Sequence, residues 1–369
     1  MSSLSLQELS VSRTDREQSS GKMTSAKDDL YPRKLLDYME GFMVSKTLFA
    51  ACELGVFEQL HASAQPLSAA DLAQALGLSS DATERLLSAC VGLELLNTQT
   101  NPAGEVFYSN TEMSTVFLTE SSPRSLYHSI QYSSRTIYLC WHYLTDAIRE
   151  GKNQYEKAFG INSKDLFQAL YRSDEEMVKF MHLMNSIWNI CGHDVITAFD
   201  LSPFRCICDL GGCSGALAKL CLSLYPQSSL IIFDLPKVIQ TSRQHFVSEP
   251  HERISFCEGD FFKDALPPAD LYILARILHD WTDERSIELL TKVYQSCTSG
   301  GGVLLIEALL YEDNSGPLTG QLYSLNMLVQ TEGRERKGSD YSRLLTTAGF
   351  TCVQIHRTGK LYDVILAQK

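Results

Sequence analysis

The run Ala275-Arg-Ile-Leu-His279-Asp280-Trp281 is apolar at its start and ends in an imidazole, a carboxylate and an indole. With an unperturbed pKa near 6.5, histidine is the side chain suited to exchanging protons at neutral pH. Two carboxylates are candidates to hold that ring. Glu307 closes Leu304-Leu-Ile-Glu307, and Glu335 lies in Gln330-Thr-Glu-Gly-Arg-Glu335. A glutamate ending an apolar strand needs a partner, whereas one on a charged loop would ordinarily be solvated. A carboxylate on one ring nitrogen would fix the tautomer and raise the basicity of the other. His279, Glu307 and Glu335 are therefore the expected catalytic group. The other histidines (61, 128, 142, 182, 193, 245, 251 and 356) have no comparable setting.

A second constellation is the turn Asp209-Leu-Gly-Gly-Cys-Ser-Gly215, entered from an apolar strand and followed by a helical pattern. Glycines there let a backbone approach a ligand closely at the carboxyl end of a strand. The dinucleotide fingerprint wants glycine two places before Gly212, where this chain has Leu210. Asp209 would also repel a pyrophosphate. A carboxylate there suits a cationic cofactor, and S-adenosylmethionine carries both a sulfonium and an ammonium. Asp234, closing the next strand, is placed to accept from a ribose diol. Asp260, in Gly259-Asp-Phe-Phe262, falls on the adenine side. No metal is indicated, because no ligand cluster is visible and the 11 cysteines form no C-x-x-C pair.

The elements that must position these groups follow from periodicity. From Arg205 the strand candidates Arg205–Leu210, Leu230–Asp234, Ile254–Cys257, Leu271–Ala275 and Val303–Glu307 alternate with helical stretches near 215–225, 236–246 and 283–297. That alternation predicts an α/β fold, a Rossmann-like parallel sheet with helices on both faces. A helix near 339–348 and the segments Cys352–His356 and Tyr362–Ala367 predict an antiparallel pair at the sheet edge. Upstream, Leu35, Leu36, Met39, Phe42 and Met43 recur at helical spacing. Ser68 to Asp71 is a capping-box start, and a hairpin turns at Pro102-Ala103-Gly104. Three helices and a hairpin describe a winged helix. Its DNA-binding use is disfavoured, because Arg85 is the only Lys or Arg between 61 and 111 against five acids. The expected division is a disordered tail over 1–29, a helical winged-helix-like module over 30–135, linking helices over 136–200 and a cofactor-binding domain over 201–369.

Composition bounds the alternatives. The formal net charge of -12 opposes nucleic acid. Glu40, Lys46 and Glu53 interrupt the most hydrophobic early segment, so no membrane span is expected. An odd, scattered set of cysteines without a basic-then-apolar leader reads as reduced thiols in the cytoplasm.

Asp209-Leu-Gly-Gly, Gly259-Asp-Phe-Phe, His279-Asp-Trp and Leu322-Tyr-Ser-Leu-Asn-Met-Leu-Val-Gln-Thr-Glu-Gly333 resemble the motifs of the S-adenosylmethionine-dependent small-molecule O-methyltransferases that act on plant phenols and animal indoles. The resemblance runs from about Leu35 to the C-terminus. It implies a homodimer through the N-terminal helical domain, and cofactor contacts at Tyr171, Trp188, Asp234, Gly259, Asp260, Phe261 and Arg276, beside Asp209 and Gly211 expected from the glycine turn itself. It also implies His279 as general base bracketed by Glu307 and Glu335, and substrate contacts at Asp280, Asn326 and Gln330. The implied reaction moves a methyl group to a hydroxyindole, the 5-hydroxyl of N-acetylserotonin. Another hydroxyindole or phenol, or an inactive dimeric scaffold, are the alternatives. Cys213 stands where the family commonly has glycine.

Overall fold

The computed structural model describes residues 32–161, 171, 173–247 and 252–369. The expected tail over 1–29 lies outside the described residues, as does His251. The chain divides into two compact units, one ending at Val44 and the other running from Ser45 to Lys369. In the first, the described residues are the opening turns of helix α1 (Arg33–Glu53), where Leu35, Tyr38, Met39 and Phe42 are exposed.

The second unit begins with α2 (Val56–Ala62), β1 (Leu67–Ser68), α3 (Ala69–Leu76), α4 (Ser80–Gly92), β2 (Leu96–Thr100) and β3 (Val106–Asn110). The Ser68 hydroxyl accepts from the Asp71 N–H, and the Asp71 carboxylate accepts from the Ser68 N–H, so the expected capping box forms. Gly77 closes α3 in the left-handed region. The hairpin of β2 and β3 adds β1 to make a three-stranded sheet in the order β1-β3-β2. Short helices follow: α5 (Glu112–Phe117), α6 (Tyr127–Tyr132), α7 (Tyr138–Trp141), α8 (Leu144–Glu150) and α9 (Tyr155–Phe159). A π-helical turn over Ser133–Ile137 joins α6 to α7. Then comes the long α10 (Asp174–Ile196), capped by Ser173.

The large sheet carries β4 (Cys206–Leu210), β5 (Ser229–Asp234), β6 (Ile254–Glu258), β7 (Ala269–Ala275), β8 (Cys297–Glu307), β9 (Thr351–His356) and β10 (Asp363–Gln368), in the order β6-β5-β4-β7-β8-β10-β9. Strands β4 to β8 are parallel, while β10 runs antiparallel to β8 and to the edge strand β9. Strand β8 starts at Cys297, earlier than its apolar run suggests: Cys297 pairs with Ala269, the exposed Thr298 to Gly300 then bulge out of register, and the ladder resumes with Gly302 opposite Leu271. The two-residue period of the strands feeds two cores. Ile207, Ile232, Ile273 and Ile306 pack under α10 and α11 (Ala216–Leu224). Cys208, Phe233, Leu274 and Leu305 pack under α13 (Asp283–Ser296) and α15 (Gly338–Ala348). Helices α12 (Pro236–His245) and α14 (Leu318–Gln330) complete the order. Successive crossovers run one way from β4 to β6 and the other way from β7, so the loops after β4 and β7 diverge and open a crevice at their carboxyl ends. Among the described residues no helix is long and apolar enough to cross a membrane.

Candidate active site

The crevice holds a cavity of about 550 Å³. Its floor is the turn after β4. Gly211 (φ 75°) sends its N–H to the Phe233 carbonyl at 2.8 Å, and the Gly215 N–H returns to the Gly212 carbonyl at 2.8 Å. Cys213 sits at φ 50°, a region that glycine occupies without strain. Its N–H donates to Asp234 Oδ2 at 2.9 Å, which ties the loop to the end of β5. The Leu235 N–H donates to the other oxygen of Asp234 at 2.8 Å. Burial pushes the Asp234 carboxyl up to about 6, although these two N–H groups pull it down.

Tyr171, Gly211, Asp234, Gly259, Asp260, Phe261, Arg276 and Asp280 from the expected set all line this cavity. A Cβ at Gly211 would stand 2.5 Å from Ile277 Cδ1, and one at Gly259 would stand 2.6 Å from Phe233 Cζ. A side chain at either wall position would have to displace the end of Ile277 or the Phe233 ring. For Asp260, partial burial raises the pKa, but Lys263 at 2.7 Å and the Phe262 N–H at 2.9 Å outweigh it and hold the carboxyl below its ordinary value.

Two expected cofactor contacts are not part of the wall. Trp188 is 6% exposed and packs in the core, its ring centroid 5.6 Å from that of Tyr362. Asp209 lies beneath the loop, 2% exposed, with Oδ2 unpartnered and 2.8 Å from where a Gly212 Cβ would stand. Burial, with the Asp234 charge behind it, raises the Asp209 carboxyl to about 7. Its folded pKa thus exceeds its unfolded value, so its ionisation destabilises the fold progressively between about pH 4 and 7. Asp209→Asn is expected to raise stability by about 2–4 kcal/mol at pH 8 and to change it little at pH 4. Urea unfolding at both pH values checks this, and an equal effect at both would remove the electrostatic cause.

His279, Glu307 and Glu335 come together, with an addition that sequence reasoning did not supply. Arg276, assigned from sequence to the cofactor, turns its guanidinium into the carboxylates. Its Nη1 donates to Glu307 Oε2 and to Glu335 Oε2, both at 2.9 Å, and its Nη2 donates to Glu335 Oε1. Nη2 also stands 2.7 Å from His279 Nδ1, and the guanidinium carbon stands 5.0 Å from the Tyr362 ring centroid. Glu307 and Glu335 are 0% and 2% exposed. Glu307 Oε1 accepts from the Leu278 N–H at 3.0 Å.

The orientation of His279 therefore corrects the simpler expectation of a carboxylate alone. A guanidinium only donates, so Nδ1 accepts. The ring proton resides on Nε2 and points to the Arg276 carbonyl at 3.0 Å. Glu335 Oε1 waits 3.4 Å from Nδ1, and Asp280 Oδ1 stands 3.6 Å from Nε2. Burial and the Arg276 charge lower the histidine pKa, but Asp280, Glu307 and Glu335 together outweigh them and raise it. Burial would raise Glu335, yet Arg276 holds it down near 2. The space enclosed by His279, Glu307 and Glu335, whose ligand-type atoms lie within 4.8 Å of one another, already receives the Arg276 positive charge.

Asn326 and Gln330 lie one turn apart on α14. Gln330 Nε2 donates to Asn326 Oδ1 at 2.7 Å, and Gln330 is 6% exposed. Other wall residues were not assigned from sequence, among them Phe180 and Met184 on α10, and Phe262, Trp281, Arg285 and Glu332. Phe180 and Met184 carry no sequence signal, because helical spacing of apolar residues reads equally as core. Trp281 stands inside the His-Asp-Trp motif and was legible there. Its ring lies edge-on to Phe262, with centroids 4.8 Å apart, and Arg285 covers the Phe262 face at 3.5 Å.

A family model described as an O-methyltransferase domain matches residues 141–351, and one described as an O-methyltransferase dimerisation domain matches residues 36–120. The acetylserotonin O-methyltransferase of Gallus gallus is 59% identical over 94% of this chain and 100% of its own length. That of Bos taurus is 55% identical over 91% of this chain and 97% of its own. The crystal structure of human N-acetylserotonin methyltransferase in complex with SAM superposes with a TM-score of 0.90 at 52% identity, over 94% of this chain and 99% of that one.

Proposed function

Because the chain belongs to the O-methyltransferase family, we propose that it transfers a methyl group from S-adenosylmethionine to the 5-hydroxyl of N-acetylserotonin, giving melatonin. The single observation that carries this reading is the cavity at the β4–β7 crevice, glycine-walled and acidic, with a buried histidine–carboxylate group behind Asp280. Asp234, Asp260 and Asp280 share its wall with Tyr171, Phe261 and Trp281. Carboxylates beside aromatic faces suit a sulfonium and an ammonium, and the glycine positions leave room for an adenosyl group. Asp234 would hold the ribose, and Asp260 and Phe261 the adenine. Gly211 and Gly259 give the backbone close approach. Asp209 and Trp188 would support the site from behind. S-adenosylmethionine, when bound, supplies an electrophilic methyl group on a positively charged sulfur.

This chain contributes proton transfer and placement. The hydroxyl of an indole has a pKa like that of tyrosine, about 10, against about 6.5 for histidine, so full deprotonation in advance is uphill by roughly 5 kcal/mol. We assign His279 the proton as the acceptor oxygen is methylated. For this the ring proton moves to Nδ1, where Glu335 Oε1 stands 3.4 Å away to accept it, and Nε2, freed on the Asp280 side, takes the hydroxyl proton, with Glu335 and Glu307 stabilising the imidazolium. Asp280 lines the cavity and touches the imidazole edge, so it lies between the acceptor and the base. The positive charge leaves the sulfur and ends on the imidazolium, beside the Glu335 and Glu307 carboxylates that are already in place to receive it. Asn326 and Gln330 would bind the N-acetyl amide.

The exposed Tyr38, Met39 and Phe42, within the segment matched by the dimerisation model, and Leu35 just before it, supply an apolar face for a homodimer. Eleven free cysteines fit a reducing compartment, the cytoplasm. Titration of the purified protein with S-adenosylhomocysteine, followed by turnover of N-acetylserotonin, tests the reading. Saturable binding and methylation are expected. Binding with methylation only of plain phenols would shift the acceptor, and no binding at all would end the assignment.

A further inference from the structure

Asn326 and Gln330 belong to a four-membered hydrogen-bond chain that spans three helices. Trp141, the last residue of α7, donates its indole N–H to Asn326 Oδ1 at 2.8 Å. Gln330 Nε2 donates to the same oxygen at 2.7 Å. Tyr155, first in α9 and 1% exposed, donates its hydroxyl to Gln330 Oε1 at 3.3 Å. Three members of this chain can reverse. Either amide can turn over, and a hydroxyl both donates and accepts. An indole N–H only donates. Trp141 therefore sets the direction of the whole chain. It forces Asn326 to place its oxygen inward, where two donors fill both lone pairs, and to leave the two hydrogens of Nδ2 for whatever binds next to it.

A pair of donors recognises an acceptor. An acyl carbonyl oxygen satisfies it, whereas a protonated amine brings only further donors and a positive charge. A buried donor left facing another donor loses its hydrogen bond altogether, and this mismatch is the strongest form of small-ligand discrimination. Resting on the proposed reaction, we infer that Trp141 is a positioning residue that makes the acceptor site select an acylated side chain over a free amine, acting through the orientation of the Asn326 amide. Tyr155 supports the far end of the chain without dictating its direction.

The test compares kcat/KM for N-acetylserotonin with that for serotonin. Trp141→Phe keeps the ring and removes the N–H, so the Asn326 amide is released to turn. The preference for the acetylated acceptor is expected to fall about 10-fold or more, through KM rather than kcat, with the Kd for S-adenosylhomocysteine unchanged. Asn326→Asp keeps an oxygen for Trp141 and removes the outward donors. It is expected to lower the preference further, to or past equality, and it serves as an independent test if Trp141→Phe does not fold. A ratio held within 2-fold of the unaltered protein in either folded variant would overturn the inference while leaving the proposed reaction intact. An unaltered protein that binds S-adenosylhomocysteine but methylates neither acceptor would instead overturn the acceptor assignment, and this inference with it.

Discussion

Replacing Arg276 with methionine is expected to lower stability by about 3–5 kcal/mol at pH 7, the penalty for leaving buried carboxylates without their counter-charge. Glu307 accepts from Arg276 Nη1, and Glu335 accepts from both ends of the guanidinium fork. Neither carboxylate has solvent to fall back on. The loss should depend on pH in one direction. With Arg276 present, Glu335 has a folded pKa near 2, depressed below its unfolded value, so its contribution is full above about pH 4.5 and lost as pH falls toward 2. In the variant that contribution is gone, and both carboxylates protonate more readily. The gap between the two proteins should therefore narrow as pH falls below 4.5. Urea unfolding from pH 7 down to about pH 2.5 reads it. A gap that stays constant would mean that Arg276 stabilises by packing on Tyr362 rather than by charge.

His279→Gln is expected to reduce kcat about 10²- to 10⁴-fold, the usual contribution of a positioned general base, while the Kd for S-adenosylhomocysteine stays within a few-fold. Glutamine retains hydrogen-bonding capacity near Arg276 and Glu335, so collapse of the buried group is not the expected cause of the loss. The unaltered enzyme should lose kcat/KM as pH falls. The midpoint should lie above 6.5, because Asp280, Glu307 and Glu335 together raise the histidine above its ordinary value despite burial and Arg276. Asp280→Asn is the matching control. His279 touches the cavity only through its neighbour, whereas Asp280 lines the wall. Full turnover in His279→Gln combined with collapse in Asp280→Asn would move the base to the aspartate.

The legible parts of the site were those written in local pattern. The strand-end acids Asp234 and Asp260, the glycine turn, and the His-Asp-Trp run each follow a recognisable apolar strand, and all contribute to the crevice wall or stand directly behind it. Asp209 reads as a cofactor ligand from its place beside the turn. It is the penultimate residue of β4, however, and its carboxylate points beneath the loop, against Gly212. Trp188 has helical spacing that serves core and cavity alike, and it lies in the core. Arg276 was half legible. It immediately follows β7 and lines the cavity as its place in the sequence suggests, but two glutamates from distant parts of the sequence draw its guanidinium inward.

From its residues alone the chain determined which strands exist, their alternation with helices, and the carboxyl-end positions where chemistry has to sit. Those are consequences of two- and 3.6-residue periods and of turn glycines, which act over a few neighbours. Only the tertiary structure decided the partners of buried polar groups, because each buried donor or acceptor must find a match and no local pattern specifies which. Arg276 pairs across 31 and 59 residues with Glu307 and Glu335. Trp141 reaches across 185 residues to aim Asn326. Charge and hydrogen-bond direction at this site are thus properties of packing, imposed where desolvation leaves no other way to satisfy them.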